Sequence, residues 1–160
     1  MTLTPVRTVA LGGGHGLAAS LGALRRVTGD LTAIVTVADD GGSSGRLRRD
    51  YGVLPPGDLR MALAALCRDD EWGNTWSEVV QHRFGGDREL AGHAVGNLLI
   101  VALWDLLGDT VAGLDWVGRL LGTGGRVLPM AAVPLDIVAE VVGADPTRPG
   151  EVTTDRKSVV

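Results

Sequence analysis

Two aspartates, two serines and an arginine stand close together in TVADDGGSSGR, residues 36–46. Asp39 and Asp40 are hard oxygen donors, suited to ribose hydroxyls or to Mg²⁺ carried with a diphosphate. Gly41 and Gly42 lead into Ser43, Ser44, Gly45 and Arg46. The backbone N–H groups, hydroxyls and guanidinium of that run suit an anion, and the expected local structure is an anion-binding nest over residues 41–45. None of these polar side chains gains from an apolar core, so the chemistry they point to is a charged, hydrogen-bonding ligand.

Three other groups share that character. In GGGHG, residues 12–16, the glycines Gly13, Gly14 and Gly16 let the backbone approach a phosphate, beside His15. A helix following such a turn presents free N–H groups to the anion. The spacing is not the dinucleotide fingerprint, and no P-loop Lys-Ser/Thr follows. PPGDLR sets a rigid turn before Asp58 and Arg60; Asp58 suits either a helix cap or a ligand contact. AGHAVGN places His93 and Asn97 at helical spacing at the start of a helix, where both share one face. His93 is able to donate a proton or bind phosphate.

The elements that must position these groups follow from the apolar pattern. VRTVAL (6–11) and LTAIVTV (31–37) read as short buried strands around a helix over 17–27, the opening βαβ unit of an α/β fold with a parallel sheet. Ligands in such folds bind beyond the carboxyl ends of the strands, where GGGHG and ADDGGSSGR both fall. Residues 47–58 read as a helical turn and a loop, and Asp58 as the cap of the helix after it. Further helices are expected over 71–84, 94–108 and 110–122, with strands in GGRVLPMAAV and LDIVAEVVG.

The bulk composition narrows the function classes. With 160 residues, 45% hydrophobic and 21% charged, the chain is long enough for one packed domain. A net charge of −4 argues against broad nucleic-acid binding. The single cysteine, Cys67, lies in an apolar helical pattern and fits a reducing cytoplasm. The longest apolar run falls far short of the roughly 20 residues of a membrane span. No signal peptide is evident, and the sequence reads as a soluble, cytoplasmic protein.

Taken in order, GGGHG, TAIVTVADDGGSSGRLR, GVLPPGDLRMALAAL, HRF, LAGHAVGNLL and GRVLP resemble the gluconeogenesis factor family of the 2-phospho-L-lactate transferase-like superfamily. The resemblance runs from Val9 to Val142, with His15 standing where many relatives have threonine. It implies an α/β, three-layer Rossmann-like fold with a mainly parallel sheet. It also implies a cytoplasmic bacterial protein needed for cell shape and peptidoglycan synthesis on gluconeogenic carbon sources. Its members resemble one another in binding UDP-N-acetylglucosamine, as regulators rather than catalysts. The related transferases use Mg²⁺ and a guanosine diphosphate donor, and a transferase of that type is the alternative reading. A nicotinamide-dependent dehydrogenase is disfavoured by the glycine spacing. A purely structural module leaves ADDGGSSGR unexplained.

On this resemblance Gly13, Gly14, His15 and Gly16 approach the diphosphate, and Asp39 and Asp40 take ribose hydroxyls or Mg²⁺. Gly41, Gly42, Ser43, Ser44 and Arg46 line the anion site, and Asp58, Arg60, His93 and Asn97 fix the remaining polar groups. No catalytic residue is assigned, and Mg²⁺ is the one candidate cofactor. The expected partners are a nucleotide sugar and a second copy of the chain, not nucleic acid. DRKSVV, residues 155–160, is what a widely used sequencing adapter would encode before its stop codon. The expectation is therefore that residues 1–154 are the N-terminal part of a single nucleotide-binding domain and that 155–160 are a read-through tail. Relatives are expected to continue for about as long again.

Overall fold

The computed structural model describes residues 6–135, and the backbone of residues 139–142 and 152–155. Three parallel strands carry the fold: β1 (Thr8–Gly12), β2 (Leu31–Val35) and β3 (Arg126–Pro129), in the order β1-β2-β3. Thr8 stands opposite Leu31, and Thr32 opposite Arg126, so side chains of matched parity share a face. Helix α1 (Gly14–Leu24) links β1 to β2. Five more helices separate β2 from β3: α2 (Gly42–Tyr51), α3 (Gly57–Ala65), α4 (Glu71–Gln81), α5 (Val95–Leu107) and α6 (Thr110–Leu121). A short antiparallel pair, β4 (Ala139–Val142) and β5 (Val152–Asp155), follows. Asp155, the first residue of the expected read-through tail, belongs to β5, and residues 156–160 lie outside the described residues.

This is the α/β class with a parallel sheet that the sequence led us to expect. One face of the sheet carries Leu31, Ala33, Val35 and Val127, all buried. Against it pack Leu17 and Leu21 of α1 and Leu59 and Leu63 of α3, with α6 adjoining β3. Fully burying each such leucine contributes roughly 1.5–3 kcal/mol. On the opposite face Val9 and Leu11 are exposed, at 55% and 67%. A second helix layer, which a three-layer arrangement requires, is not among the described residues.

Several boundaries differ from expectation for local reasons. Helix α1 begins at Gly14 rather than after the glycine run, because Gly13 adopts the extended backbone of an N-cap. Residues 41–45 do not form a nest; Gly42–Tyr51 is one helix. Its last turn carries Arg48 and Arg49, which suit the helix dipole, and Gly52 closes it in the left-handed region. Helix α4 ends at Gln81 rather than Phe84, because Arg83 bridges to Ala94. GGRVLPMAAV, residues 124–133, is a strand only over Arg126–Pro129, and of LDIVAEVVG residues 136–138 and 143 lie outside the described residues.

The helix N-termini fall into two kinds. Helices α4 and α6 are capped by Asp70 and Asp109, whose carboxylates accept from Gly73 N at 2.7 Å and Ala112 N at 2.9 Å. Helices α1, α2, α3 and α5 start at Gly13, Gly41, Pro56 and Ala94 with no side-chain cap. Asp109→Ala should therefore cost about 1 kcal/mol of stability and leave ligand affinity unchanged, as read by thermal melts beside a binding assay.

Candidate functional site

Helices α1, α2 and α3 begin beside the carboxyl ends of β1 and β2, and α5 begins against the first turns of α2 and α3. Thr36, just past β2, donates through Oγ1 to Asp58 Oδ2 in the first turn of α3 at 3.0 Å. Asp58 thus does not cap α3, as its position in the sequence suggested; Pro56 holds the cap position and Asp58 turns toward β2. Gly13 fits against this pair. A Cβ there would lie 2.0 Å from Thr36 Oγ1 and 2.3 Å from Asp58 Oδ2. Gly57 makes the equivalent approach to α2, where a Cβ would lie 2.3 Å from Ser44 Oγ and 3.1 Å from Asp39 Oδ2. The structure therefore brings Gly13, Asp39, Ser44 and Asp58 to one end of the sheet.

A second, more deeply buried set adjoins it. Ser43 Oγ lies 3.0 Å from His93 Nδ1, Asn97 Nδ2 donates to Ser43 Oγ at 3.0 Å, and Arg60 Nε donates to Asn97 Oδ1 at 3.1 Å. Ser43, Arg60, His93 and Asn97 are each less than a tenth exposed. Helical spacing had put His93 and Asn97 on one face, and they do converge, though His93 precedes α5 and Asn97 lies within it. Burial lowers the pKa of the Arg60 guanidinium; nearby Arg83 lowers it further and Asp58 offsets part of this. No ion pair to Arg60 is found among the described residues, so its charge is buried beside uncapped helix N-termini without a bonded carboxylate. A buried cation left in that state favours an incoming anion.

The other expected residues fall around this centre. Arg46 spends one of its donors within the protein: its Nη2 donates to the Ala91 carbonyl at 2.7 Å. Arg83 Nη1 donates to the Gly92 carbonyl at 2.9 Å. Together the two arginines clip down the loop that delivers His93. His15 and Gly16 are exposed in the first turn of α1, with Gly14 partly exposed beside them. Gly41 N donates to Asp39 Oδ1 at 2.9 Å, shaping the entry to α2. Asp40 is exposed and pairs with Arg49 at 3.5 Å. Thr36 and Arg83 were missed in the sequence, one inside a β-branched strand pattern and the other in a short motif beside a loop. Next to the arginine clip, Phe84, Asp87, Arg88, Leu90 and Ala91 line an open depression of about 640 Å³.

The donor set offers Mg²⁺ the carboxylates of Asp39 and Asp40. Among the described residues no group of three His, Cys, Asp or Glu side chains could hold a metal. Mg²⁺ that keeps its waters and rides on phosphates needs just one or two carboxylates. Asp39, whose Oδ1 accepts from Gly41 N, retains Oδ2 for that purpose, and Asp40 retains Oδ2 beside its exposed 3.5 Å pair with Arg49.

Comparison with known proteins identifies the family. The family model for the 2-phospho-L-lactate transferase CofD matches residues 8–159. The chain belongs to the CofD family. Among curated relatives of this CofD-family chain, a "Putative gluconeogenesis factor" of Mycobacterium leprae is 61% identical over 145 residues, covering 89% of this chain and 40% of that one. The "Gluconeogenesis factor" of Bacillus subtilis is 42% identical over 130 residues, covering 81% and 40%. An X-ray crystal structure of a Bacillus halodurans protein aligns with a TM-score of 0.79 and 36% identity, over 92% of this chain and 45% of that one. The chain thus spans about 40% of the length of these curated relatives. No helix among the described residues is long and apolar enough to cross a membrane.

Proposed function

We propose that this CofD-family chain binds a nucleotide sugar, UDP-N-acetylglucosamine, across the carboxyl ends of β1 and β2. On this reading the whole protein is a cytoplasmic regulator of cell shape and peptidoglycan synthesis during gluconeogenic growth. The observation that carries the reading is the buried Arg60 charge, set among four helices that start without side-chain caps. Free N–H groups at helix starts and a desolvated guanidinium both suit a diphosphate. Asp39 and Asp58 suit hydroxyls, and the depression beside Ala91 has room for an uncharged part of the ligand. The name of the Bacillus subtilis relative supports the link to gluconeogenesis.

The family model's own description favours a second reading, a Mg²⁺-dependent transferase acting on a nucleoside diphosphate donor. Bound Mg²⁺ would neutralise charge on the diphosphate. Incubation with UDP-N-acetylglucosamine and Mg²⁺, followed by nucleotide chromatography, separates the two. The regulator reading expects intact ligand, and release of nucleoside monophosphate would contradict it. In calorimetric titrations with and without Mg²⁺, Asp39→Asn should abolish any Mg²⁺ enhancement of affinity. Asp40→Asn should change affinity less than about threefold, because an exposed pair such as Asp40–Arg49 contributes little.

A further inference from the structure

The buried series Arg60, Asn97, Ser43, His93 has a fixed direction over its first two links. Arg60 Nε carries a hydrogen and no lone pair, so the Asn97 atom facing it accepts and is Oδ1. Asn97 Nδ2 therefore donates to Ser43 Oγ. Ser43 has one proton, and its other hydrogen-bond partner among the described residues is His93 Nδ1, the one of its two partners able to accept it. A proton given to Nδ1 in this bond leaves the imidazole hydrogen on Nε2.

The surroundings disfavour a charged ring. Burial holds the His93 pKa below its ordinary value; Arg46 adds to this, Asp50 opposes it and Arg83 lowers it further. Arg46 and Asp50 come from α2, Arg83 from the segment after α4, and Arg60 of α3 acts through Asn97. Nε2 has no hydrogen-bond partner among the described residues. The only buried side-chain polar atom left without one there is Arg25 Nε, so Nε2 opens toward solvent.

We propose that Asn97 and Ser43 are positioning residues that lock His93 as the Nε2–H tautomer, so that the site offers a bound diphosphate two donors, His93 Nε2–H and the Arg60 guanidinium. The inference rests on the diphosphate reading and sharpens it. Such a site selects fully ionised phosphodiester oxygens, which accept, over a protonated phosphate, which needs an acceptor. Its residues divide into those that touch the ligand and those that act through His93.

The test is ¹⁵N NMR of the His93 imidazole in the ligand-free protein at about pH 8, above the usual histidine range. The expected result is a protonated Nε2 and a bare Nδ1; a protonated Nδ1 overturns the proposal. Asn97→Asp puts an acceptor on both sides. Ser43 then donates to residue 97 and accepts from the ring, so the tautomer should invert to Nδ1–H, and an unchanged tautomer overturns the relay. If that variant does not fold, Ser43→Ala should instead give a mixture of tautomers, and a pure Nε2–H ring there counts against the relay. Adding UDP-N-acetylglucosamine should move the wild-type Nε2 resonance. Calorimetric binding with an unmoved Nε2 overturns the donor role, whereas no calorimetric binding overturns the diphosphate reading and leaves the tautomer result standing.

Discussion

Arg60→Gln should weaken UDP-N-acetylglucosamine binding by about 30-fold or more, equivalent to about 2 kcal/mol, while changing the unfolding free energy by less than about 1 kcal/mol. The two effects part because they have different origins. In the free protein Arg60 carries a charge that burial disfavours, with no bonded carboxylate among the described residues to offset it. Glutamine removes that charge and keeps an N–H group able to reach Asn97 Oδ1, so the buried acceptor stays satisfied. What is lost is the attraction that a desolvated guanidinium exerts on a phosphate. Arg60→Leu differs instructively. It leaves Asn97 Oδ1 unpaired, and about 1–3 kcal/mol of stability should be lost along with binding. Calorimetric titration and denaturant melts on the two variants check both effects.

The second large effect separates glycines that look alike in the sequence. Gly13→Ala drives a methyl group into Thr36 Oγ1 and Asp58 Oδ2, at 2.0 and 2.3 Å. Both atoms belong to side chains hydrogen-bonded to each other, so neither moves without breaking that bond. The expected cost is roughly 1–3 kcal/mol of stability. Binding should fall at least tenfold as the start of α1 swings away from α3. Gly16→Ala, three residues on, meets nothing within 4 Å in a helical turn. It should be neutral or raise stability by about 0.4–1 kcal/mol, with affinity within about twofold of wild type. Equal damage from both substitutions would mean that the whole GGGHG run lies against the ligand.

These pairs show what the sequence made legible. The strand–glycine–helix–strand opening, the parallel sheet and the gathering of polar residues at the strand ends could all be read from apolar periodicity and turn chemistry. The start of α2 could not. Its GGSSGR wording fits a loop, and the helix is decided by tertiary burial of Ser43, Ser44 and Leu47 and by the stop at Gly52. Asp58 had the sequence position of a cap, but its partner Thr36 lies 22 residues away. Arg46 was assigned to an anion by its charge and neighbours, yet it holds the Ala91 carbonyl, because only the fold brings that loop within reach. Local pattern thus picked out the candidate residues, and long-range contacts set which side chains hold one another in place.

The central claim is that the strand-end site recognises a diphosphate. Parallel calorimetric titrations of the wild-type chain with UDP-N-acetylglucosamine and with uridine test it most directly. The account predicts saturable binding of the nucleotide sugar that weakens with added salt, and an affinity for uridine at least about 100-fold lower. Equal affinity for the two, or no binding of the nucleotide sugar, would contradict it.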